Sequence, residues 1–111
     1  MTIDDLRRRI DELDERLVAL LNERASCALE IGKLKHALGL EVYQPEREAE
    51  VLQRVRAFSD HIGGPLGAAA ITRLFERIID EARRIERATA GGSAPKVDEQ
   101  SKIERAMELE E

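Results

Sequence analysis

Apolar residues recur along the first third of the chain at Ile3, Leu6, Ile10, Leu13, Leu17 and Leu20, then at Cys27, Ile31, Leu34 and Leu38, in steps of three and four. That spacing keeps one stripe on a single helical face and predicts one long, unbroken helix. Thr2, with Asp5 three residues on, supplies a capping box at its start, and Gly39 supplies the left-handed residue that stops it. His36 near that end complements the helix dipole. Pro45 suits the first turn of a second helix, with Glu46 and Glu48 near its positive end and an apolar stripe of Val51, Leu52, Val55 and Phe58. This helix is expected to fade before His61-Ile62-Gly63-Gly64. Pro65 is then expected to open a third helix, whose stripe runs through Ile71, Leu74, Phe75, Ile78, Ile79, Ala82 and Ile85. No segment alternates with the period of two that a strand requires.

The expected fold is therefore all-α, with three helices per chain, the N-terminal one very long. A helix of about 36 residues is roughly 54 Å long, whereas an ordinary globular helix has about 11 to 12 residues. A second helix of about 15 residues and a third of about 22 cover only part of its stripe at ~1.5 Å per residue. A second copy of the chain is expected to cover the rest, giving a helical homodimer in which the long helices are shared.

A chain of 111 residues allows one domain. Its 18 Lys and Arg against 23 Asp and Glu leave a net charge of -5, which argues against nucleic acid as a partner. The basic run Arg7-Arg8-Arg9 is followed at once by Asp11, Glu12, Asp14 and Glu15, so it reads as a mixed helix surface. No apolar run approaches the ~18 residues of a membrane span, and the acidic start Met1-Thr2-Ile3-Asp4-Asp5 is unlike a secretory signal, so a cytoplasmic location is expected. The lone Cys27 has no disulfide partner within the chain, and His36 and His61 stand in no metal-ligand pattern, so no metal is expected. Cys27 reads as a core residue of the apolar seam.

After Ala88 the composition turns to Thr89-Ala90-Gly91-Gly92-Ser93-Ala94-Pro95, the make-up of a flexible linker. The helical domain is thus expected over 1–88. Residues 89–111, with three basic and six acidic side chains, are expected to form a flexible linker and an acidic tail, either mostly disordered or carrying a short amphipathic helix through Ile103, Ala106, Met107 and Leu109, and open to an unidentified partner.

One seam position breaks the pattern. Counting on from Leu20, the next place falls on Arg24, where Leu or Ile is expected. A guanidinium taken out of water needs an anion, because leaving it unpaired costs several kcal/mol. Either an internal glutamate, Glu23 or Glu48, or a bound anion satisfies that demand. Lys35 lies eleven residues on, close to three turns, so both cations project from nearly the same face about 17 Å apart. Gly32 between them costs about 1 kcal/mol relative to alanine in a helix interior, which calls for a close approach of backbone or ligand. Arg7, seventeen residues before Arg24, is about 25 Å away along the axis, too far to reach the same small molecule; by itself it reads as a surface residue, and in an antiparallel dimer it can serve the neighbour's site.

In order, Leu6-Arg7-x-x-Ile10-Asp11-x-x-Asp14, Leu20-Leu21-x-x-Arg24, Ile31-Gly32-x-x-Lys35, Val42-Tyr43-x-Pro45-x-Arg47-Glu48 and Gly64-Pro65-Leu66 leading into Phe75-x-x-Ile78-Ile79 resemble the all-helical class of chorismate mutases. The resemblance covers residues 6 to about 87. It implies an intertwined dimer that converts chorismate to prephenate, a Claisen rearrangement on the route to phenylalanine and tyrosine, without a cofactor. Carried over position by position, it implies that Arg24, together with Arg7 of the opposite protomer, binds the two substrate carboxylates with help from Arg47. Glu48 would take the ring hydroxyl and Lys35 would donate to the ether oxygen. Three positions depart from the commonest pattern. Gln44 stands where an aspartate is frequent, its amide free to contact substrate or cap the second helix. Ala82 stands where a serine often helps to bind substrate, and Glu86 stands where glutamine is frequent, facing the ether oxygen. An ionised carboxylate only accepts hydrogen bonds, so Glu86 has to be protonated to help, unless it is a surface residue paired with Arg83 or Arg87.

Two other readings compete. An isochorismate-pyruvate lyase of the same fold would use much the same cations on a related dianion. A non-catalytic helical dimerisation module would use the seam alone, and such a seam has no need of Arg24.

Overall fold

The computed structural model describes residues 1–90, and the expected tail beyond them lies outside the described residues. These residues form three helices and no strand: α1 (Ile3–Leu38), α2 (Pro45–Ile62) and α3 (Ala68–Ala90). The first helix begins and ends where its caps predict. Thr2 Oγ1 accepts from the Asp5 amide at 3.1 Å, and Asp5 Oδ2 accepts from the Thr2 amide at 3.0 Å. At the other end Gly39 takes the left-handed conformation, φ 70°, and the amides of Gly39 and Leu40 close on His36 and Lys35 carbonyls. Both ends thus satisfy backbone groups that a helix leaves unpaired.

Two boundaries differ from expectation. Pro65 does not open the third helix; it lies in the loop after Gly63 and Gly64, both at positive φ, and α3 starts at Ala68, its first turn closed by the Ile71 amide on the Gly67 carbonyl. Thr89 and Ala90, assigned to the linker by composition, belong to α3. The Thr89 hydroxyl bonds back to the Glu86 carbonyl at 2.8 Å, which keeps the last turn wound.

α3 packs against both α1 and α2, whereas α1 and α2 do not pack on each other among the described residues. The third helix therefore sets where the other two stand. The buried apolar residues are one from each helix, Ala28 of α1, Val51 of α2 and Ile79 of α3. The core is small. Leu6, Ile10, Leu13, Leu17 and Leu20 of α1 are all exposed, and so are Phe58 and Leu74, which the periodicity places in apolar stripes. Cys27 is likewise exposed rather than a core residue of the seam. The single chain leaves these apolar faces uncovered.

The Asp5 carboxyl is held below its usual range, chiefly by the hydrogen bond from the Thr2 backbone and then by the Thr2 side chain. A depressed value means that the cap contributes above the ordinary aspartate range and is lost as pH falls through the lowered folded value. In an NMR titration the Thr2 amide shift is therefore expected to report a midpoint below the ordinary ~3.9 for aspartate, and Thr2→Ala is expected to move the Asp5 midpoint back toward it. A midpoint at or above the ordinary value would contradict the capping box.

Candidate active site

A groove of about 520 Å³ opens among the three helices. One wall is α1, through Arg24, Cys27, Ala28, Ile31 and Lys35. A second is the loop and the first turns of α2, through Val42, Gln44, Arg47, Glu48, Val51 and Arg54. The third is α3, through Ile79, Ala82, Arg83 and Glu86. Helical periodicity accounts for each set. Arg24, Ala28, Ile31 and Lys35 follow steps of four, three and four, and Ile79, Arg83 and Glu86 steps of four and three. The lining mixes buried apolar residues, Ala28, Val51 and Ile79, with long charged side chains.

Five cations, Arg24, Lys35, Arg47, Arg54 and Arg83, face two anions, Glu48 and Glu86. In a chain of net charge -5 this is a local reversal of sign, and a groove with low-dielectric walls concentrates such a field. The arrangement suits a small ligand with more than one negative charge.

At the closed end lies an ion pair. Lys35 Nζ is 2.7 Å from Glu86 Oε1, with the two side chains only 13% and 9% exposed. The same ammonium donates to the Val42 carbonyl at 2.8 Å. Glu86 Oε1 has the lysine as its ionic neighbour but no hydrogen bond of good geometry, so the ammonium is held by charge and by Val42 rather than locked by a directed bond to the carboxylate. The reading of Glu86 as a surface residue paired with Arg83 or Arg87 is thereby overturned: it is buried and pairs with Lys35.

Gly32 makes this pair possible. A Cβ at that position would collide with Thr89 Oγ1 and stand 2.7 Å from Glu86 Cα and 3.1 Å from the Glu86 carbonyl oxygen. The hydroxyl can rotate, but the α3 backbone cannot yield without moving Glu86. The close approach expected at Gly32 is thus that of another helix.

Arg24 is half-buried rather than enclosed, and among the described residues it makes no ion pair. Glu48, one of its expected internal partners, is engaged elsewhere, with Oε2 lying 2.8 Å from Arg83 Nε. Arg47 reaches Glu50 through Nη1. The Gln44 side chain makes no capping bond to α2, so of its two expected uses only the one toward the groove is left. Ala82 lines the groove as a methyl without a donor. Arg7 stands apart, exposed in the first turns of α1, and this chain does not bring it to the groove.

Arg83 and Arg54 were missed by sequence reasoning. Arg83 sits in the run Arg83-Arg84-x-x-Arg87, where charge alone distinguishes nothing. Its place four residues after Ile79, on the same face as Ile79 and Glu86, is the signal that singles it out. Arg54 is similarly seven residues after Arg47. Among the described residues no cluster of three or more His, Cys, Asp or Glu side chains suits a metal ion, and no helix is long and apolar enough to cross a membrane.

The family described as chorismate mutase type II matches residues 6–87. The chain is 41% identical over 90 residues to the bifunctional chorismate mutase/prephenate dehydratase of Neisseria gonorrhoeae, covering 78% of this chain and 24% of that protein. It is 36% identical over 52 residues to the chorismate mutase of Methanocaldococcus jannaschii, covering 47% of this chain and 52% of that protein. The chain therefore spans about a quarter of the length of the bifunctional relatives it matches. Among solved structures it superposes on chorismate mutase (form II) of Thermus thermophilus with a TM-score of 0.72 at 34% identity, over 77% of this chain and 93% of that one.

Gly32→Ala tests the helix crossing. Alanine favours the helix by about 1 kcal/mol, but overpacking against a backbone costs typically 1 to 3 kcal/mol. A net loss of about 1 to 2 kcal/mol in a denaturant melt is expected, with a larger loss for Gly32→Val. Unchanged stability for both variants would mean that the helices do not cross this closely.

Proposed function

The chain belongs to the chorismate mutase type II family, and from that membership we propose that it converts chorismate to prephenate, the step leading toward phenylalanine and tyrosine. The observation that carries this reading is the groove in which Arg24, Lys35 and Arg47 face one small volume beside Glu48 and Glu86. The reaction is internal to the substrate: the ether C–O bond breaks as a new C–C bond forms, and no atom leaves. The protein therefore has to hold the enolpyruvyl arm over the ring and stabilise the charge that grows on the ether oxygen.

Arg24 and Arg47 bind carboxylates, a task for which the planar guanidinium offers paired donors. The groove of one chain has its cations on three walls and is open toward solvent, and Arg7 from the opposite protomer of a homodimer completes the carboxylate site. The exposed stripe of Leu6, Ile10, Leu13, Leu17 and Leu20 supports that dimer, because Arg7 lies beside Leu6 at the start of the stripe and is carried wherever the stripe docks. Glu48 accepts the ring hydroxyl. Gln44 contacts the substrate from the loop, and Ala82 contributes only apolar contact.

Lys35 donates to the ether oxygen and gains strength as charge develops there, so it favours the transition state over bound substrate. Its preorganisation by Val42 spares the cost of reorienting the ammonium during the reaction. A gain of about 10⁶ requires roughly 8 kcal/mol. One such donor supplies about 3 to 4 kcal/mol, and orientation of the flexible arm supplies much of the rest. Glu86 has to take up a proton to become a second donor, since its ionised form would repel the developing charge. We place the reaction in the cytoplasm, as befits a biosynthetic step on a charged intermediate, and it requires no cofactor.

The direct test is loss of chorismate and formation of prephenate by the purified protein, with isochorismate assayed separately. Prephenate formation is expected, and pyruvate release from isochorismate without it would favour the lyase. Arg7→Ala and Arg24→Ala are each expected to abolish most activity, while co-refolding the two variants is expected to restore about a quarter of it, because half the dimers then hold one intact site. No recovery on mixing would exclude a site shared across the dimer. Glu86→Gln, whose amide donates where an ionised carboxylate only accepts, is expected to keep or raise activity, and Glu86→Ala is expected to lower it. Equal activity of the wild type and both variants would remove Glu86 from the reaction.

A further inference from the structure

One guanidinium in the groove has no role in the scheme above. Arg83 Nε lies 2.8 Å from Glu48 Oε2 without a hydrogen bond of good geometry, so this pair is held by charge, while its Nη2 donates to Asp80 Oδ1 at 2.5 Å and its carbon stands 5.6 Å from the centre of the Tyr43 ring. These contacts join three separate pieces of chain: α3, the first turns of α2, and the loop between α1 and α2. We propose that Arg83 is a positioning residue, which clamps Glu48 Oε2 so that Oε1 is presented to the hydroxyl of the bound substrate. This rests on the reading of Glu48 given above.

The topology explains why such a clamp is needed. α2 packs on α3 but not on α1 among the described residues, so the distance from Glu48 to Lys35 and Arg24 is set through α3. Arg83 is the ionic link between α2 and α3 at the groove itself. Its partners are only partly exposed, 26% for Arg83 and 22% for Glu48, so water competes less than at an open surface pair. The ion pair with Arg83 engages Oε2 of Glu48, so Oε1 is the oxygen offered to the substrate hydroxyl. Arginine suits the position because its fork offers separate nitrogens to Glu48 and Asp80 while its flat face rests on Tyr43. Lysine keeps the charge without that geometry.

A mutant cycle on activity and on Tm tests the proposal, using Arg83→Leu, Arg83→Lys, Asp80→Asn, Glu48→Gln and the Arg83→Leu/Glu48→Gln double variant. Arg83→Leu is expected to lower kcat about tenfold with KM changed less than about threefold, Arg83→Lys to recover part of that loss, and Asp80→Asn to cost about twofold to threefold. In the Glu48→Gln background Arg83→Leu is expected to cost less than about twofold more, since the group it positions is already altered. An unchanged kcat in Arg83→Leu, or an equal loss in both backgrounds, overturns the positioning role. If Arg83→Leu fails to fold, the Lys and Asp80→Asn variants carry the same comparison. The clamp is also read without the reaction: the Tm loss of the double variant is expected to be smaller than the sum of the single losses by about 2 °C or more, and additive losses overturn the clamp. A wild-type protein that leaves chorismate untouched would instead defeat the functional reading, and the Tm cycle would still decide whether Arg83 holds Glu48.

Discussion

The buried ion pair between Lys35 and Glu86, drawn together where α1 crosses α3 at Gly32, is the constraint on which the rest of this molecule depends. Removing two charges from water is costly, and the cost is met only where geometry brings them close. Here a missing Cβ supplies that geometry. Gly32 lets the α3 backbone approach, Thr89 closes the last turn on the far side, and the α1 stop at Gly39 returns the chain so that the Val42 carbonyl meets the ammonium. The pair is weak evidence for stability, because an apolar pair of similar volume would fill the space at no desolvation cost. Its value lies in placing an ammonium at a defined depth in a groove.

From that fixed point the site grows outward along helical repeats. Arg24 lies three turns before Lys35 on α1, and Arg83 and Ile79 precede Glu86 on α3. Glu48 and Arg47 arrive from α2, which is oriented by its packing on α3. The result is a cationic groove in an acidic chain, with the Lys35 ammonium held by the Val42 carbonyl. In the proposed reaction that preorganisation is the advantage, since a charge fixed in advance needs no reorganisation as charge moves.

Much of this was legible in the sequence. Steps of three and four, with a capping box and a terminal glycine, marked α1 from Ile3 to Leu38, because local hydrogen bonds decide both ends. Arg24 and Gly32 stood out as departures from the local pattern, and both departures have a physical cause: one is a side chain facing a polar groove, the other a helix contact. Other features lay beyond reach. Pro65 fits a first helical turn as well as a loop, and Gly63 and Gly64 decide the matter through backbone angles. Periodicity alone put Phe58, Leu74 and Cys27 in apolar stripes, yet whether a stripe is buried depends on partners that spacing does not name. Arg83 was hidden among neighbouring arginines; its helical register with Ile79 and Glu86 places it on the groove face, but its pairing with Glu48 of another helix is not legible from spacing.

The central claim is that this groove encloses a doubly negative ether and meets its reacting oxygen with Lys35. A crystal structure with a stable bicyclic dicarboxylate ether, shaped like the rearranging transition state, tests it most directly, because such analogues bind where the transition state is best complemented. The account predicts one molecule per groove, its ether oxygen within hydrogen-bond distance of Lys35 Nζ and its carboxylates on arginines that include Arg24. A ligand seated elsewhere, or in the groove with its ether oxygen turned away from Lys35, would contradict it.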